Sequence, residues 1–266
     1  MKRKRKAFGQ SVRGASHIRQ GQPCEDCRKI AWIGENVVIV AAADGHGSSR
    51  CPKSRNGARI AVNTFCKIMQ EYVEHYQEAG EELISYLARE GELQVARQIC
   101  LEWQKRVRRS YLRSRLDRSI SKAEMLSLYG TTLMGAVFAE GFSFFFQIGD
   151  GDLMQISIHG TNRLLEQETL LGVETHSMGK EQAWKKAVSS IYRNQIDIPQ
   201  LYLMATDGFY NSHLSAEEFL YSCREYYEQI QANGMEEISH HLKKWLQETS
   251  ALGCGDDITV MLISEE

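Results

Sequence analysis

The stretch VVIVAAADGHG, residues 37–47, joins a short apolar run to an abrupt polar turn. The run is rich in β-branched residues and alanine and ends at glycine-containing turn residues, a pattern typical of a buried strand. We therefore predict a strand over Val37–Ala43, with Asp44 just after its C-terminal end, where the carboxylate meets solvent. The glycines that follow would let the backbone bend closely around a ligand.

Later parts of the chain repeat this arrangement. The apolar run LYLMAT ends at Asp207, the segment QIG ends at Asp150, and Asp256 lies two residues before the apolar run ITVMLI. Asp26, with Glu25 beside it, adds carboxylates in a further turn. One Asp-Gly pair is an ordinary turn signal, but several carboxylates at strand ends would repel one another unless cations lie among them. Because oxygen ligands alone favour Mg²⁺ or Mn²⁺, the pattern predicts a site for such ions.

The composition allows a sizeable core and gives no strong electrostatic field. The chain has 266 residues, of which 42% are hydrophobic, and a formal net charge of -2. A balanced charge of this kind does not favour nucleic acid or a membrane as a partner. No linker rich in Pro, Gly or Ser divides the chain, so we expect a single domain over residues 1–266, in which the basic residues 1–8 form a flexible tail.

The seven cysteines are an odd number scattered through apolar and helical sequence, which fits reduced thiols in a cytoplasmic protein. Cys24 and Cys27 have CxxC spacing, but a single pair is weak support for zinc, so we favour the adjacent carboxylates as ligands. We find neither a secretory signal nor an apolar run of membrane-spanning length. We therefore expect a soluble protein in the cytoplasm.

Hydrophobic periodicity predicts an α+β layered sandwich. The predicted strands that follow the first one cover residues 132–139, 142–148, 153–158, 201–206 and 258–263. The predicted helices cover residues 57–77, 82–128 with a break near residue 91, 180–193, 215–231 and 235–249. Phe144, Phe145 and Phe146 in succession indicate a strand covered on both faces. Residues 160–177 have no clear periodicity, and we expect them to form a loop over the site.

Residues 105–118 are strongly basic and have two interpretations. They could form a docking face for an acidic or phosphorylated partner. They could equally form the solvated face of an ordinary surface helix, with Trp103, Val107, Tyr111 and Leu112 on its buried side. We favour the solvated face, because surface helices commonly show this pattern.

Five segments, in order along the chain, resemble the metal-dependent protein serine/threonine phosphatases of type 2C, in their bacterial form. The segments are Cys24-Glu25-Asp26; Ala43-Asp44-Gly45-His46-Gly47; Gly130-Thr131-Thr132-Leu133 with Ile148-Gly149-Asp150; Ala205-Thr206-Asp207-Gly208; and Asp256-Asp257-Ile258-Thr259-Val260. Each segment alone is a weak signal, but the ordered set is specific and covers nearly the whole chain.

The resemblance implies a four-layer sandwich of two antiparallel β-sheets flanked by helix pairs, with a metal cluster at one end. The cofactors would be two Mn²⁺ or Mg²⁺ ions, with a third ion at a weaker position. By resemblance Asp44 would bridge the two ions and the Gly45 carbonyl would complete one of them. Asp207 and Asp256 would bind the other ion.

The resemblance also implies roles for the remaining candidates. Glu25 or Asp26 would hold metal-bound waters, and Asp150 would join Asp207 at the third position. His46 matches the place of a candidate general acid for the leaving seryl or threonyl oxygen, a role that suits an imidazole near neutral pH. The alternative for His46 is a turn residue that only orders water, and both roles stay open here.

Two departures from the family pattern concern the same site. The last motif commonly has Asn where this chain has Asp257. The bacterial pattern also has an Arg a few residues before the Glu-Asp pair to bind the substrate phosphate, whereas here the segment is longer and His17, Arg19 and Arg13 compete for that role. Because an Arg can bind phosphate through two parallel hydrogen bonds, Arg19 is the first choice.

The resemblance implies hydrolysis of phosphoserine or phosphothreonine by a metal-activated bridging water, without a covalent intermediate. Phosphorylated proteins would be the substrates and a cognate serine/threonine kinase a partner, and we expect a monomer that binds neither nucleic acid nor membrane. Two alternatives remain: a phosphatase-like regulatory module that binds a partner without turnover, and a hydrolase of small phosphate esters. Comparing hydrolysis rates on a phosphopeptide and on nucleotides distinguishes a protein phosphatase from a hydrolase of small phosphate esters.

Overall fold

Two antiparallel sheets form the centre of the protein. The structure is a computed structural model that describes residues 4–76, 80–114, 119–165, 176–193 and 198–265. Within these residues the strands are β1 (Arg5–Val12), β2 (Cys27–Ile33), β3 (Val37–Ala43), β4 (Leu133–Ala139), β5 (Phe142–Ile148), β6 (Asp152–Ser157), β7 (Gly160–Arg163), β8 (Val188–Arg193), β9 (Gln200–Ala205) and β10 (Ile258–Glu265). One sheet has the order β1-β10-β9-β6-β7 and the other the order β2-β3-β4-β5-β8.

Helices cover the outer face of each sheet. The described helices are α1 (Ala15–Gln20), α2 (Ser54–His75), α3 (Glu81–Glu90), α4 (Ala96–Arg113), α5 (Lys122–Ser127), α6 (Asp207–Tyr210) and α7 (Ala216–Leu252). A π turn, Gly91–Val95, separates α3 from α4, which confirms the predicted break. Non-helical backbone at Gly234 divides α7 into two helices, as predicted. None of the described helices has both the length and the apolar character needed to cross a membrane.

The alternation of side chains along β3 explains why its whole sequence is apolar. Ile39 and Ala41 pack into a core shared with α2 and α4. Val38 and Val40, on the opposite face, pack into a core shared with the other sheet. The other sheet packs its outer face against α7. These layers confirm the predicted α+β four-layer sandwich of two antiparallel sheets between helices.

The same alternation applies to the three consecutive phenylalanines in β5. Phe144 and Phe146 belong to the core beneath α2 and α4, and Phe145 belongs to the core between the sheets. All three are fully buried. The prediction of a strand covered on both faces is therefore confirmed.

A flexible tail was predicted over residues 1–8, and the structure differs from it over residues 5–8, while residues 1–3 lie outside the described residues. Arg5–Val12 forms an edge strand antiparallel to β10. The Arg5 side chain is 3% exposed, and its Nε donates a hydrogen bond of 2.5 Å to Glu265 Oε1. Its terminal nitrogens donate bonds of 2.7 Å to the Asn36 carbonyl and 2.6 Å to the Ala139 carbonyl, in the other sheet. The basic residues at the start of the sequence indicated a solvated tail rather than a strand. A buried arginine can be recognised only once its hydrogen-bond acceptors are known.

A second correction concerns the predicted helix over residues 180–193. Its first part contains a short 3₁₀ helix, Ala183–Lys186, and Val188–Arg193 forms the edge strand β8, paired with β5. Sheet pairing at an edge thus overrides a helical spacing of apolar residues. The predicted loop over residues 160–177 begins instead with the strand β7, and residues 166–175 lie outside the described residues.

The basic stretch lies on the outer surface of α4. Lys105 and Arg106 form ion pairs with Glu102 on the same helix. Arg108, Arg109 and Arg113 are exposed, while residues 115–118 lie outside the described residues. Trp103, Val107 and Tyr111 are buried as expected, but Leu112 is 48% exposed, because it follows Tyr111 onto the solvent side of the helix.

Candidate metal centre

Antiparallel pairing brings the first two candidate carboxylates together. Asp44 follows the last residue of β3, and Asp26 precedes the first residue of β2. Because Ala43 is paired with Cys27 in these neighbouring strands, the two aspartates leave the same end of the sheet. The Asp44 backbone is held there by three hydrogen bonds: its N–H donates to Thr132 Oγ1 at 2.9 Å, and its carbonyl accepts from Thr132 N at 2.8 Å and Thr131 Oγ1 at 2.7 Å.

The second sheet contributes the other candidates by the same principle. β9 ends just before Asp207, the first residue of α6, and β10 begins just after Asp256. The antiparallel register of β9 and β10 therefore brings Asp207 and Asp256 to one sheet end. Asp150, after β5, lies close enough to Asp207 to raise its pKa. The sequence thus predicted correctly that these carboxylates gather at strand ends.

The gathered carboxylates repel one another. Burial raises the pKa of Asp44 well above its ordinary value, and the charges of Asp26, Asp207 and Asp256 raise it further. Burial likewise raises the pKa of Asp207, with Asp150 and Asp256 as the next causes. Burial also raises the pKa of Asp26, although the nearby Thr259 and Thr206 hydroxyls oppose that rise. A positive charge among these groups would relieve the repulsion.

An unpartnered buried oxygen supports the same conclusion. Asp26 Oδ1 is buried and has no hydrogen-bond donor among the described residues. The Asp44 carboxyl is close enough to Asp26 to have its pKa raised by it, and a proton or a cation between the two acceptors would relieve their repulsion. The donor set fits hard divalent ions, because it consists of oxygen atoms.

The side chains alone do not form a closed metal cage. Across the described ranges, no three His, Cys, Asp or Glu side chains are grouped so that they could hold an ion by themselves. An ion would therefore complete its shell with water and a backbone carbonyl such as that of Gly45, as Mg²⁺ commonly does in proteins. Gly45 is tightly enclosed, since a Cβ atom there would lie 2.9 Å from the Glu25 carbonyl oxygen and 2.9 Å from the Ser54 carbonyl carbon.

Glu25 is held at the beginning of α2. Its Oε2 atom accepts hydrogen bonds from Ser54 Oγ at 2.8 Å and from the Arg55 N–H at 2.6 Å. A carboxylate at a helix N-terminus is stabilised by the free N–H groups there. Glu25 is thus fixed beside Gly45, where it could orient water around an ion.

His46 is positioned by a residue that the sequence did not single out. Its Nε2 atom lies 2.7 Å from Ser177 Oγ in a hydrogen bond. Burial lowers the pKa of His46, the Asp150 charge raises it, and the Lys180 charge lowers it. The sequence offered no signal for Ser177, because the pair is separated by 131 residues.

The three competitors for the phosphate-binding role lie in different surroundings. Arg19 is exposed on α1, and its guanidinium has no hydrogen bond or ion pair with any described residue. Arg13 donates a hydrogen bond of 2.9 Å to the His17 carbonyl. The His17 ring contacts the acidic group directly, with Nδ1 3.0 Å from Asp257 Oδ1. The choice of Arg19 therefore gains no support from its position.

Asp257 has a structural reason to differ from the Asn of the family pattern. Its Oδ1 atom accepts the Gly14 N–H at 2.6 Å and its Oδ2 atom accepts the Glu25 N–H at 2.6 Å. Both oxygens of the buried side chain are thus acceptors, whereas an amide would present one N–H₂ group to a donor. Asp257 fastens the segment that carries Glu25 to the beginning of β10.

Comparison with known protein families agrees with this architecture. A family model described as protein phosphatase 2C matches residues 13–247. The match spans most of the 266 residues, so the chain belongs to the protein phosphatase 2C family. Curated protein sequences contain no match to this chain.

Solved structures with this fold include several phosphatases. The catalytic domain of the serine/threonine phosphatase PstP, in complex with two manganese ions, aligns with a TM-score of 0.60 at 14% identity and covers 98% of each chain. A serine-threonine phosphatase 2C from Toxoplasma gondii aligns with a TM-score of 0.62 at 14% identity, covering 98% of this chain and 94% of that one. A bacterial serine phosphatase aligns with a TM-score of 0.61 at 13% identity and covers 98% of each chain. At these identities the similarity shows the shared fold.

Proposed function

We propose that this chain hydrolyses phosphoserine and phosphothreonine in proteins, using Mn²⁺ or Mg²⁺ and no covalent intermediate. The observation that carries the proposal is the gathering of carboxyls around Asp44, whose pKa is raised by burial and then by the charges of Asp26, Asp207 and Asp256, at one end of a protein phosphatase 2C fold. Asp256 is exposed, but the other three carboxylates are buried or half-buried, and four like charges are costly to bring together unless their charge is used to hold cations. The solved PstP catalytic domain, which shares the fold, contains two manganese ions.

The residues of this chain would divide the work as follows. Asp44 and the Gly45 carbonyl would bind the two metal ions from the end of β3. Asp207 and Asp256 would bind them from the other sheet. Asp150 would join Asp207 at a third, weaker position. Two bound divalent ions would lower the pKa of a water and neutralise phosphate charge.

His46 is the candidate acid for the leaving oxygen of the seryl or threonyl group. Its hydrogen bond with Ser177 fixes the direction of the ring. Burial lowers the pKa of His46, and the nearby Asp150 charge opposes that shift. Glu25 and Asp26 would orient water. Glu25 is held at the beginning of α2, and Asp26 is held by its hydrogen bond with Thr206.

Phosphorylated proteins would be the partners of the enzyme, and a cognate serine/threonine kinase would supply them. Free cysteines, buried and exposed, are distributed through the chain, which supports a reducing compartment such as the cytoplasm. We expect the enzyme to act as a monomer.

Phosphate release from a phosphothreonine peptide, with and without Mn²⁺, tests the proposal. We expect Mn²⁺-dependent turnover in the wild-type chain and a loss of at least about 100-fold in Asp207→Ala, because that side chain would hold an ion. The matched control is Glu237→Ala, which removes an exposed carboxylate of α7 and should leave the rate unchanged.

The two alternatives predict different outcomes in the same assay. Folded protein that binds Mn²⁺ but releases no phosphate with any divalent ion would instead indicate a regulatory binding module. Faster turnover of nucleotides or small phosphate esters than of the phosphopeptide would indicate a small-ester hydrolase.

A further inference from the structure

His17 lies at the edge of the metal centre although it belongs to none of the motifs that carry the family resemblance. It is on α1, and its side chain is 14% exposed. Its Nε2 atom is 3.9 Å from Asp256 Oδ1, and its Nδ1 atom is 3.0 Å from Asp257 Oδ1. One edge of the imidazole therefore faces a candidate metal ligand and the other edge faces a second carboxylate.

The carboxylate behind the imidazole is rigid. Asp257 accepts the Gly14 N–H and the Glu25 N–H, each at 2.6 Å, and is 3% exposed. His17 Nδ1 is buried and has no well-aligned hydrogen bond, so its short contact with Asp257 is a side-on approach that a small rotation of the ring would align. Asp257 therefore gives the ring a fixed neighbour on its Nδ1 side.

The open side of the ring faces further candidate metal ligands. A Cβ atom at Gly47 would lie 3.7 Å from His17 Cε1, 3.7 Å from the Gly45 carbonyl oxygen and 3.6 Å from Glu25 Cγ. The imidazole, the carbonyl and the Glu25 side chain therefore surround one small space. The absence of a side chain at Gly47 leaves that space open.

We propose that His17 Nε2 is a nitrogen ligand of the divalent ion held by Asp256, and that Asp257 orients its ring. The inference rests on the metal centre of the proposed function. Two ligands about 2.1 Å from one octahedral ion are about 3.0 Å apart when adjacent and about 4.2 Å apart when opposite, so the separation of 3.9 Å lies within the range that one ion can span. An imidazole that binds metal commonly donates its other N–H to a carboxylate, which is the arrangement that His17 and Asp257 approach.

A nitrogen ligand changes which metal the centre prefers. Carboxylate, carbonyl and water oxygens suit Mg²⁺, whereas imidazole binds the transition metals more strongly than it binds Mg²⁺. His17 would therefore favour Mn²⁺ over Mg²⁺ at the Asp256 position. Loss of the imidazole should weaken Mn²⁺ binding by about tenfold or more and change Mg²⁺ binding by less than about twofold.

Pulsed electron paramagnetic resonance of the Mn²⁺-loaded full chain tests the assignment directly, because a coordinated imidazole gives a ¹⁴N modulation of the Mn²⁺ signal. We expect the modulation in the wild-type chain, its loss in His17→Gln, and its retention in His46→Gln, the matched control for the other histidine near the acidic group. Calorimetric titration of the same proteins with Mn²⁺ and with Mg²⁺ measures the change in preference.

Three outcomes would overturn the assignment of His17 as a metal ligand. They are a ¹⁴N modulation that persists in His17→Gln, a wild-type signal without modulation, and a chain that binds no Mn²⁺. If His17→Gln does not fold, His17→Asn supplies the same test, since it also removes the imidazole and the modulation should be lost with it. The spectrum does not depend on turnover, so a chain that shows the modulation but does not hydrolyse the phosphopeptide would contradict the proposed function alone.

Discussion

Thr206 Oγ1 donates a hydrogen bond of 2.8 Å to Asp26 Oδ2, and this bond joins the two sheets at the candidate metal centre. The same hydroxyl oxygen accepts the Thr259 N–H at 2.9 Å, and the Thr206 N–H donates to the Thr259 carbonyl at 3.0 Å. Thr206 thus fixes the end of β9 against the beginning of β10 while it orients a carboxylate that belongs to the other sheet. Together with the bond between Asp257 and the Glu25 N–H, this side chain links the two halves of the candidate centre.

Replacing Thr206 with valine should destabilise the protein and weaken the centre. The change leaves the buried Asp26 Oδ2 and the Thr259 N–H without this partner, and an unsatisfied buried polar group costs about 1–3 kcal/mol. We expect a loss of that size in the free energy of unfolding, measured in urea without metal, together with weaker Mn²⁺ binding. Thr206→Ser keeps the hydroxyl and should restore most of both quantities. Equal losses in the serine and valine variants would contradict a role for the hydroxyl.

The crowded carboxylates predict an unusual pH dependence for the metal-free protein. Burial raises the pKa of Asp26, and that of Asp207, from 3.8 to about 7. The folded state therefore binds more protons than the unfolded state between these values, so the free energy of unfolding should fall as the pH rises from about 4 to about 7. Thermal unfolding without metal should show a lower Tm at about pH 8 than at about pH 5.

Added Mn²⁺ should reverse this trend, because the ion replaces the protons on the carboxylates. We expect Mn²⁺ to raise the Tm more at about pH 8 than at about pH 5. Asp207→Asn removes one of the titrating groups and should flatten the metal-free dependence. A metal-free Tm that rises steadily over this range would show that the carboxylates are ionised in the folded chain.

The signals that predicted where the candidate carboxylates lie are local. Each run of apolar residues that ends in an aspartate marks a strand end, and antiparallel pairing then places Asp44 beside Asp26 and Asp207 beside Asp256. The continuous apolar sequence of β3 likewise indicated a strand buried on both faces. Each of these patterns can be recognised within a segment of about ten residues.

The parts that the sequence did not predict depend on contacts between distant residues. Ser177 orients His46 across 131 residues, and Asp257 binds the Gly14 N–H across 243 residues. β1 was mistaken for a tail because the acceptors of Arg5 belong to three other parts of the chain. Neither periodicity nor turn signals carry information about such partners.

The cysteines near the centre should resist alkylation. Burial raises the pKa of the Cys24 thiol, and the Asp26 and Asp257 charges raise it further. Burial also raises the pKa of Cys27. Because the thiolate is the reactive form, we expect iodoacetamide at neutral pH to leave both residues unmodified and turnover nearly unchanged, as measured by mass spectrometry and phosphate release. The exposed Cys254 is the internal control and should react first. Rapid inactivation that accompanies modification of Cys24 would contradict this prediction.

The exposed arginines of α4 provide a test of the solvated-face interpretation. Arg108, Arg109 and Arg113 have no ion pair with any other described residue, and they lie on a helix whose buried side faces α2. Reversing the three charges should therefore leave kcat/KM for a phosphothreonine peptide and the free energy of unfolding nearly unchanged. A large fall in kcat/KM for a whole phosphoprotein, with an unchanged value for the peptide, would instead support docking of an acidic partner on this face.

Asp257→Asn tests whether the carboxylate at this position is required by its two donors. The amide can accept only one of the Gly14 and Glu25 N–H groups through its oxygen, and its N–H₂ group would face the other. We expect a loss of about 1–3 kcal/mol in the free energy of unfolding, because one buried N–H loses its acceptor. Glu228→Gln, which alters an exposed ion pair on α7, is the control and should cost less than about 1 kcal/mol. If Asp257→Asn were as stable as the wild-type chain, the segment that carries Glu25 would have to be held in place by other contacts, such as the bonds that Glu25 Oε2 accepts from Ser54 and Arg55.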